Sequence, residues 1–135
     1  MQTRNIGPLQ VSAIGLGCMS LSYAYGTPPP VEHGERVLLA ALDAGVTLFD
    51  TAALYGYGVN EELLGRVVKK HRRKITLASK GGMAGVTFPD GVKRVIDGRP
   101  EAMRKHCEDS LRRLQTGVTD LYYLHLWANK VPSGE

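Results

Sequence analysis

A chain of 135 residues can bury a hydrophobic core without disulfides or a structural metal, and it is expected to form one domain over residues 1–135. Hydrophobic residues at 43% and charged residues at 22% match ordinary globular usage, which excludes a disordered or low-complexity class. The formal charge of +4 is too small to define a polyanion-binding protein by itself.

The chain opens MQTRNIGPLQVSAIGLG, with no uninterrupted apolar stretch after a basic start and therefore no secretory signal pattern. No run approaches the ~18 apolar residues of a membrane span. The two cysteines, Cys18 and Cys107, have neither metal-ligand spacing nor the crowding of a disulfide scaffold. No metal and no membrane contact are expected, and the location is expected to be cytoplasmic.

Strand and helix patterns alternate along the chain. Val11 to Leu16 reads as a short apolar strand, Glu35 to Ala44 as an amphipathic helix stopped by Gly45, and Val46 to Phe49 as a second strand. Asn60 is expected to be a helix N-cap, with Glu61 and Glu62 in the first turn and Leu63, Leu64, Val67 and Val68 on one apolar face. The basic run Lys69, Lys70, His71, Arg72, Arg73 and Lys74 falls at the end of that helix. There, cations complement the negative end of the helix dipole, and no aromatic residue interleaves them for base stacking, so no nucleic-acid partner is expected.

Ile75 to Ser79 reads as a third strand, and the glycine-rich stretch Gly81 to Gly98 as a loop. Pro100 suits the first residue of a helix, although Arg99 stands where a capping Ser or Thr would be worth about 1 kcal/mol. Met103, Cys107, Leu111 and Leu114 share one stripe of that helix, Gly117 is expected to end it, and Leu121 to Leu124 forms a fourth strand. Such alternation implies a parallel sheet with right-handed crossovers. Periodicity alone leaves a doubly wound sheet and a closed barrel both open.

Each of the last three strands ends in an ionisable residue: Asp50 after VTLF, Lys80 after ITLAS and His125 after LYYL. In parallel α/β sheets the C-terminal strand ends share one face, and active sites assemble there. Tyr55, five residues after Asp50, falls in the loop on that face. Taken singly, each residue has an ordinary use: a turn cap, a surface aromatic, a solvated cation, a core-edge imidazole. Those uses do not account for the shared position.

Together the four make a proton-transfer site. A lysine cation about 4 Å from a phenol stabilises the phenolate by roughly 4 kcal/mol at an effective dielectric of 20, about three pKa units, which brings the phenol within range as a general acid. A carboxylate would hold the lysine in place, and an imidazole would orient a carbonyl oxygen as charge develops on it.

LDAGVTLFDTAALYGYGVNEELLG at 42–65 closely resembles the signature of the aldo-keto reductase family, and GLGCMSLS at 15–22, LASK at 77–80 and DLYYLH at 120–125 follow in matching order. The resemblance implies a hydride-transferring oxidoreductase that reduces small aldehydes or ketones with NADPH (NADP). Asp50, Tyr55, Lys80 and His125 correspond to the family's catalytic tetrad, with Tyr55 as proton donor. Gly17, Cys18, Met19 and Asp50 correspond to residues near the nicotinamide, and Tyr23, Tyr55, His125 and Trp127 to the substrate mouth.

The implied fold class is α/β, a partial (β/α)8 TIM barrel of about four β/α units preceded by an N-terminal β-hairpin, with Ile6 to Gln10 in the hairpin and the first barrel strand starting near Ser12. A whole barrel takes about 250 residues, so this chain is expected to be the N-terminal half, to turn over little alone, and to self-associate through its open edges. The Rossmann fingerprint is absent, since Ser20 occupies the third glycine position after Gly15 and Gly17. Cys18 lacks the sequence signs of an activated nucleophile. A second reading is a nicotinamide-binding regulatory protein on the same scaffold, as in the potassium-channel β subunits.

Overall fold

The computed structural model describes residues 1–126. At its centre is a four-stranded parallel sheet of order β3-β4-β5-β8, formed by Leu16–Gly17, Leu48–Asp50, Thr76–Gly81 and Leu121–Leu124. Three helices link its strands or follow them: α1 (Val31–Asp43), α2 (Val59–His71) and α3 (Pro100–Leu114). This is the βα alternation of a partial (β/α)8 barrel. Leu38 of α1, Leu63, Leu64, Val67 and Val68 of α2, and Leu114 of α3 pack on Phe49 and Leu77 of the sheet to form the main core. No helix among the described residues is long and apolar enough to cross a membrane.

Two antiparallel hairpins flank the sheet. β1 (Thr3–Ile6) pairs with β2 (Leu9–Ser12), so Ile6 to Gln10 lie in the hairpin as expected, and it also takes in the residues expected to begin the first barrel strand. The barrel strand β3 is only Leu16–Gly17. Ser12 leaves the hairpin by exchanging hydrogen bonds with Thr47, whose Oγ1 accepts from the Ser12 amide at 2.8 Å while the Ser12 hydroxyl accepts from the Thr47 amide at 2.9 Å.

The second hairpin corrects the expected loop between Gly81 and Gly98. β6 (Met83–Phe88) pairs with β7 (Gly91–Ile96) through six registered positions and turns at Pro89 and Asp90. Proline presets the first turn position and Gly91 takes φ +122°, a conformation that side-chain-bearing residues avoid. The mixture of glycines with exposed β-branched residues hid two strands in what reads as a linker.

Helix ends also differ from expectation. α1 begins at Val31, one turn before Glu35, directly after the Pro28–Pro30 run, with the Pro30 carbonyl accepting from the His33 amide at 2.9 Å. α3 starts at Pro100 as expected, and no side chain caps it at Arg99. It ends at Leu114, before Gly117, because Gln115 adopts φ +54° and its amide closes the helix on the Arg112 and Leu111 carbonyls. The basic run is divided. Lys69, Lys70 and His71 occupy the last turn of α2, while Arg72 turns inward to pair with Asp120 at 2.8 Å and bind the carbonyls of Ile75 and Val118.

Candidate active site

The parallel register decides which side chains meet. Asp50 lies beside Gly17 on one side and Ala78 on the other, and Lys80 stands two residues beyond Ala78, on the same face of β5. Lys80 is in turn level with Tyr123, and His125 follows Tyr123 by two. One alternation rule therefore aims Asp50, Lys80 and His125 to the same side at the C-terminal rim. The His125 amide fixes that end of the strand by donating to the Gly81 carbonyl at 2.8 Å.

Tyr55 reaches the group from the loop after β4. Its turn, Tyr55–Gly58, carries three successive left-handed residues: Gly56 at φ +59°, Tyr57 at +54° and Gly58 at +103°. The two glycines make that path accessible, and it folds the phenol back over the sheet. Tyr55 is 8% exposed, packed with Ala52, Leu54 and Met83, with Met19 and Tyr23 against them. The Tyr23 ring stacks on it at 6.2 Å between centroids.

The Lys80 ammonium donates to Asp50 Oδ2 at 2.6 Å, to the Thr51 carbonyl at 2.8 Å and to the Tyr55 hydroxyl at 3.2 Å. Its side chain is 16% exposed and that of Asp50 is 37% exposed, so the ion pair is desolvated on the lysine side and open on the carboxylate side. The His125 ring meets Tyr55 edge-on at 5.6 Å between centroids. Burial, then the Lys80 cation, push its pKa below the ordinary histidine value, against a smaller opposing pull from Asp50. The buried Nδ1 of His125 has no hydrogen-bond partner among the described residues.

Of the remaining candidates, Gly17 is level with Asp50 at the rim, and a Cβ built on it meets nothing within 4 Å, which leaves open space above this strand end. Cys18 is fully buried, its thiol pushed up to about 12 chiefly by burial. That thiol is inert as a nucleophile at neutral pH. Met19 begins a short turn beside Tyr23. Trp127 lies outside the described residues.

Two residues of α2 correct the sequence reading. The N-cap is Gly58, and Asn60 is fully buried: its Oδ1 accepts from Thr51 Oγ1 at 2.6 Å and its Nδ2 donates to the Cys18 carbonyl at 2.8 Å and Ser22 Oγ at 2.5 Å. Glu61 does stand in the first turn, yet it too is fully buried, accepting from Ser79 Oγ at 2.5 Å and pairing with Arg113 at 2.6 Å. An Asn followed by an acid at a helix start reads as a cap and a dipole partner. The sign that both point inward was the apolar face beginning immediately after them.

The Aldo/keto reductase family model matches residues 13–135. The chain belongs to the aldo-keto reductase family. It is 42% identical over 127 residues to "Probable aldo-keto reductase 1" of Glycine max, covering 93% of this chain and 36% of that protein. It is 39% identical over 132 residues to "Aldo-keto reductase yakc [NADP(+)]" of Schizosaccharomyces pombe, covering 96% and 38%. Its backbone superposes on the holo form of aldo-keto reductase AKR11C1 from Bacillus halodurans with TM-score 0.87 at 35% identity, over all of this chain and 43% of that one. The chain thus spans a little over a third of the length of these curated aldo-keto reductase relatives.

Proposed function

We propose that this aldo-keto reductase chain carries the proton-transfer site of an NADP-dependent reductase that converts aldehydes or ketones to alcohols, with Tyr55 as the proton donor. The observation that carries the reading is the Lys80 ammonium 3.2 Å from the Tyr55 hydroxyl, held on its other sides by Asp50 and the Thr51 carbonyl. At that distance and an effective dielectric of 20, a cation attracts a phenolate by about 5 kcal/mol, of which the Asp50 carboxylate offsets a part. Tyr55 gives its proton to the carbonyl oxygen, and Lys80 stabilises the phenolate left behind. His125, disfavoured as a cation by burial and by Lys80, serves as a neutral donor that orients the same oxygen.

The open space over Gly17, beside the exposed part of Asp50, fits a nicotinamide ring, which Gly17, Met19 and Asp50 would hold, while Cys18, expected among these contacts, is fully buried and would support the segment from beneath. When bound, NADPH supplies the hydride for the carbonyl carbon. The name of the S. pombe relative supports NADP as the cofactor. Tyr23, stacked beside Tyr55, forms one wall of the substrate mouth. Two free thiols, one of them fully buried, fit a reducing, cytoplasmic setting. Assembly of all four groups in reach of one another favours catalysis over a binding-only role.

The test incubates the purified protein, in excess over benzaldehyde, with NADPH deuterated at C4, so that even a slow reaction is read. Benzyl alcohol with deuterium on carbon is the expected product by mass spectrometry. Unchanged benzaldehyde, with NADPH bound, would leave only a binding function.

A further inference from the structure

The described residues include two fully buried polar side chains next to each other in the first turn of a helix, Asn60 and Glu61, and neither belongs to the proton-transfer site. Helix starts at a protein surface ordinarily spend such residues on capping, in water. Here Gly58 takes the cap position without a side-chain bond, which leaves both residues free to face the sheet.

The amide of Asn60 is held in one orientation. The Cys18 carbonyl can only accept, so it must face Nδ2, and this leaves Oδ1 for the Thr51 hydroxyl. Thr51 is thereby tied from three directions. Its hydroxyl meets Asn60, its amide donates to the Ala78 carbonyl at 3.0 Å, and its carbonyl receives the Lys80 ammonium at 2.8 Å. A shift of Thr51 moves one of the supports that set the 3.2 Å approach of Lys80 to Tyr55. Glu61 grips the neighbouring strand one residue before Lys80, through Ser79 Oγ. A fully satisfied buried polar network rigidifies what it joins, whereas apolar side chains of the same size would fill the space with less directional control.

We propose that Asn60 is a positioning residue for Lys80, acting through Thr51, and that Glu61 supports the same strand end through Ser79. The proposal rests on the reading of Tyr55 and Lys80 as the reacting pair, and its test separates the two ideas. Thr51→Val removes the hydroxyl at nearly constant shape and Thr51→Ser keeps it. For each, the nuclear Overhauser effect between the Lys80 ε-methylene and the Tyr55 ring is measured, with that between Leu64 and Leu77 as a control for the core, alongside kcat and KM for NADPH-dependent reduction of 4-nitrobenzaldehyde.

Thr51→Val is expected to lose most of the Lys80–Tyr55 effect, keep the core effect, and lower kcat about tenfold or more, since small misplacements at a reacting centre are costly. KM should stay within about twofold, as for an interaction that matters only in the transition state. Thr51→Ser should restore both. If Thr51→Val does not fold, Asn60→Leu, which removes the oxygen that accepts from Thr51 at similar volume, is expected to behave in its place. The proposal is overturned if Thr51→Val retains the Lys80–Tyr55 effect, or if Thr51→Ser loses as much as Thr51→Val. Loss of the effect in Thr51→Val, in a protein whose parent binds NADPH yet transfers no deuterium to benzaldehyde in the single-turnover reaction, would support the positioning role and reject the reductase reading.

Discussion

Replacing Arg113 by Met leaves the Glu61 carboxylate fully buried without its cation. Glu61 Oε2 now meets Arg113 at 2.6 Å, the Arg113 side chain being 24% exposed, and Oε1 takes the Ser79 hydroxyl. Breaking one side of a buried pair costs about 3–5 kcal/mol, and the partial access of water at Arg113 places this case near 3 kcal/mol. Methionine keeps most of the apolar stem, so lost packing adds little. With a urea slope of about 1.5–2 kcal/mol/M, the unfolding midpoint followed by circular dichroism should fall by about 1.5–2 M. Replacing Glu61 by Met in the same chain removes the stranded charge and leaves only the Ser79 hydroxyl without its partner, a cost of about 1 kcal/mol. The double variant is therefore expected to be more stable than Arg113→Met alone. A midpoint unchanged by Arg113→Met, or two single effects that simply add, would refute the view that this pair links α2 to α3.

Gly65→Ala should destabilise by about 1–3 kcal/mol despite the better helix propensity of alanine, because its Cβ would collide with the Arg113 carbonyl and stand 3.1 Å from the Leu114 backbone; thermal unfolding measures it. His106 and His125 both have imidazoles held below the ordinary value, each chiefly by burial, so the unfolded chain binds protons first. Stability is then fully present above about pH 6.5 and should decline as pH falls below it, while Asp97, held down to about 2 by Arg99, stays ionised through that window. His106→Asn, which can still accept from the Gly82 amide as His106 Nδ1 does at 3.1 Å, should flatten that decline in urea titrations at stepped pH. Cys18 should resist Ellman's reagent at pH 8 until the chain is unfolded, whereas the half-buried Cys107, whose thiol burial also pushes up, should react in the native state but more slowly than in the unfolded chain.

The parts legible in the sequence were those in which one physical signal dominates. Leu63, Leu64, Val67 and Val68 announce a helix face because burial alone sets their spacing. Asp50, Lys80 and His125 stand out because an ionisable group directly after an apolar strand is costly unless the strand end is a site. The β6–β7 hairpin was illegible because Val86, Phe88, Val92 and Ile96 are all partly exposed, which blurs the alternation, and the surrounding glycines suggest a loop. Gln115 ends α3 in a left-handed turn that a glycine two residues later made easy to misplace. Asn60 and Glu61 carried two compatible meanings, and only the packing of α2 on the sheet decides between a cap in water and a buried grip.

Tyr55→Phe removes one oxygen and leaves the ring stacked on Tyr23. In single-turnover reactions with protein and NADPH in excess over 4-nitrobenzaldehyde, followed by the loss of nicotinamide absorbance, the rate should fall by about 10²–10⁴ with NADPH binding unchanged. A phenylalanine variant that reduces the aldehyde as fast as the parent would contradict the assignment of Tyr55 as the proton donor.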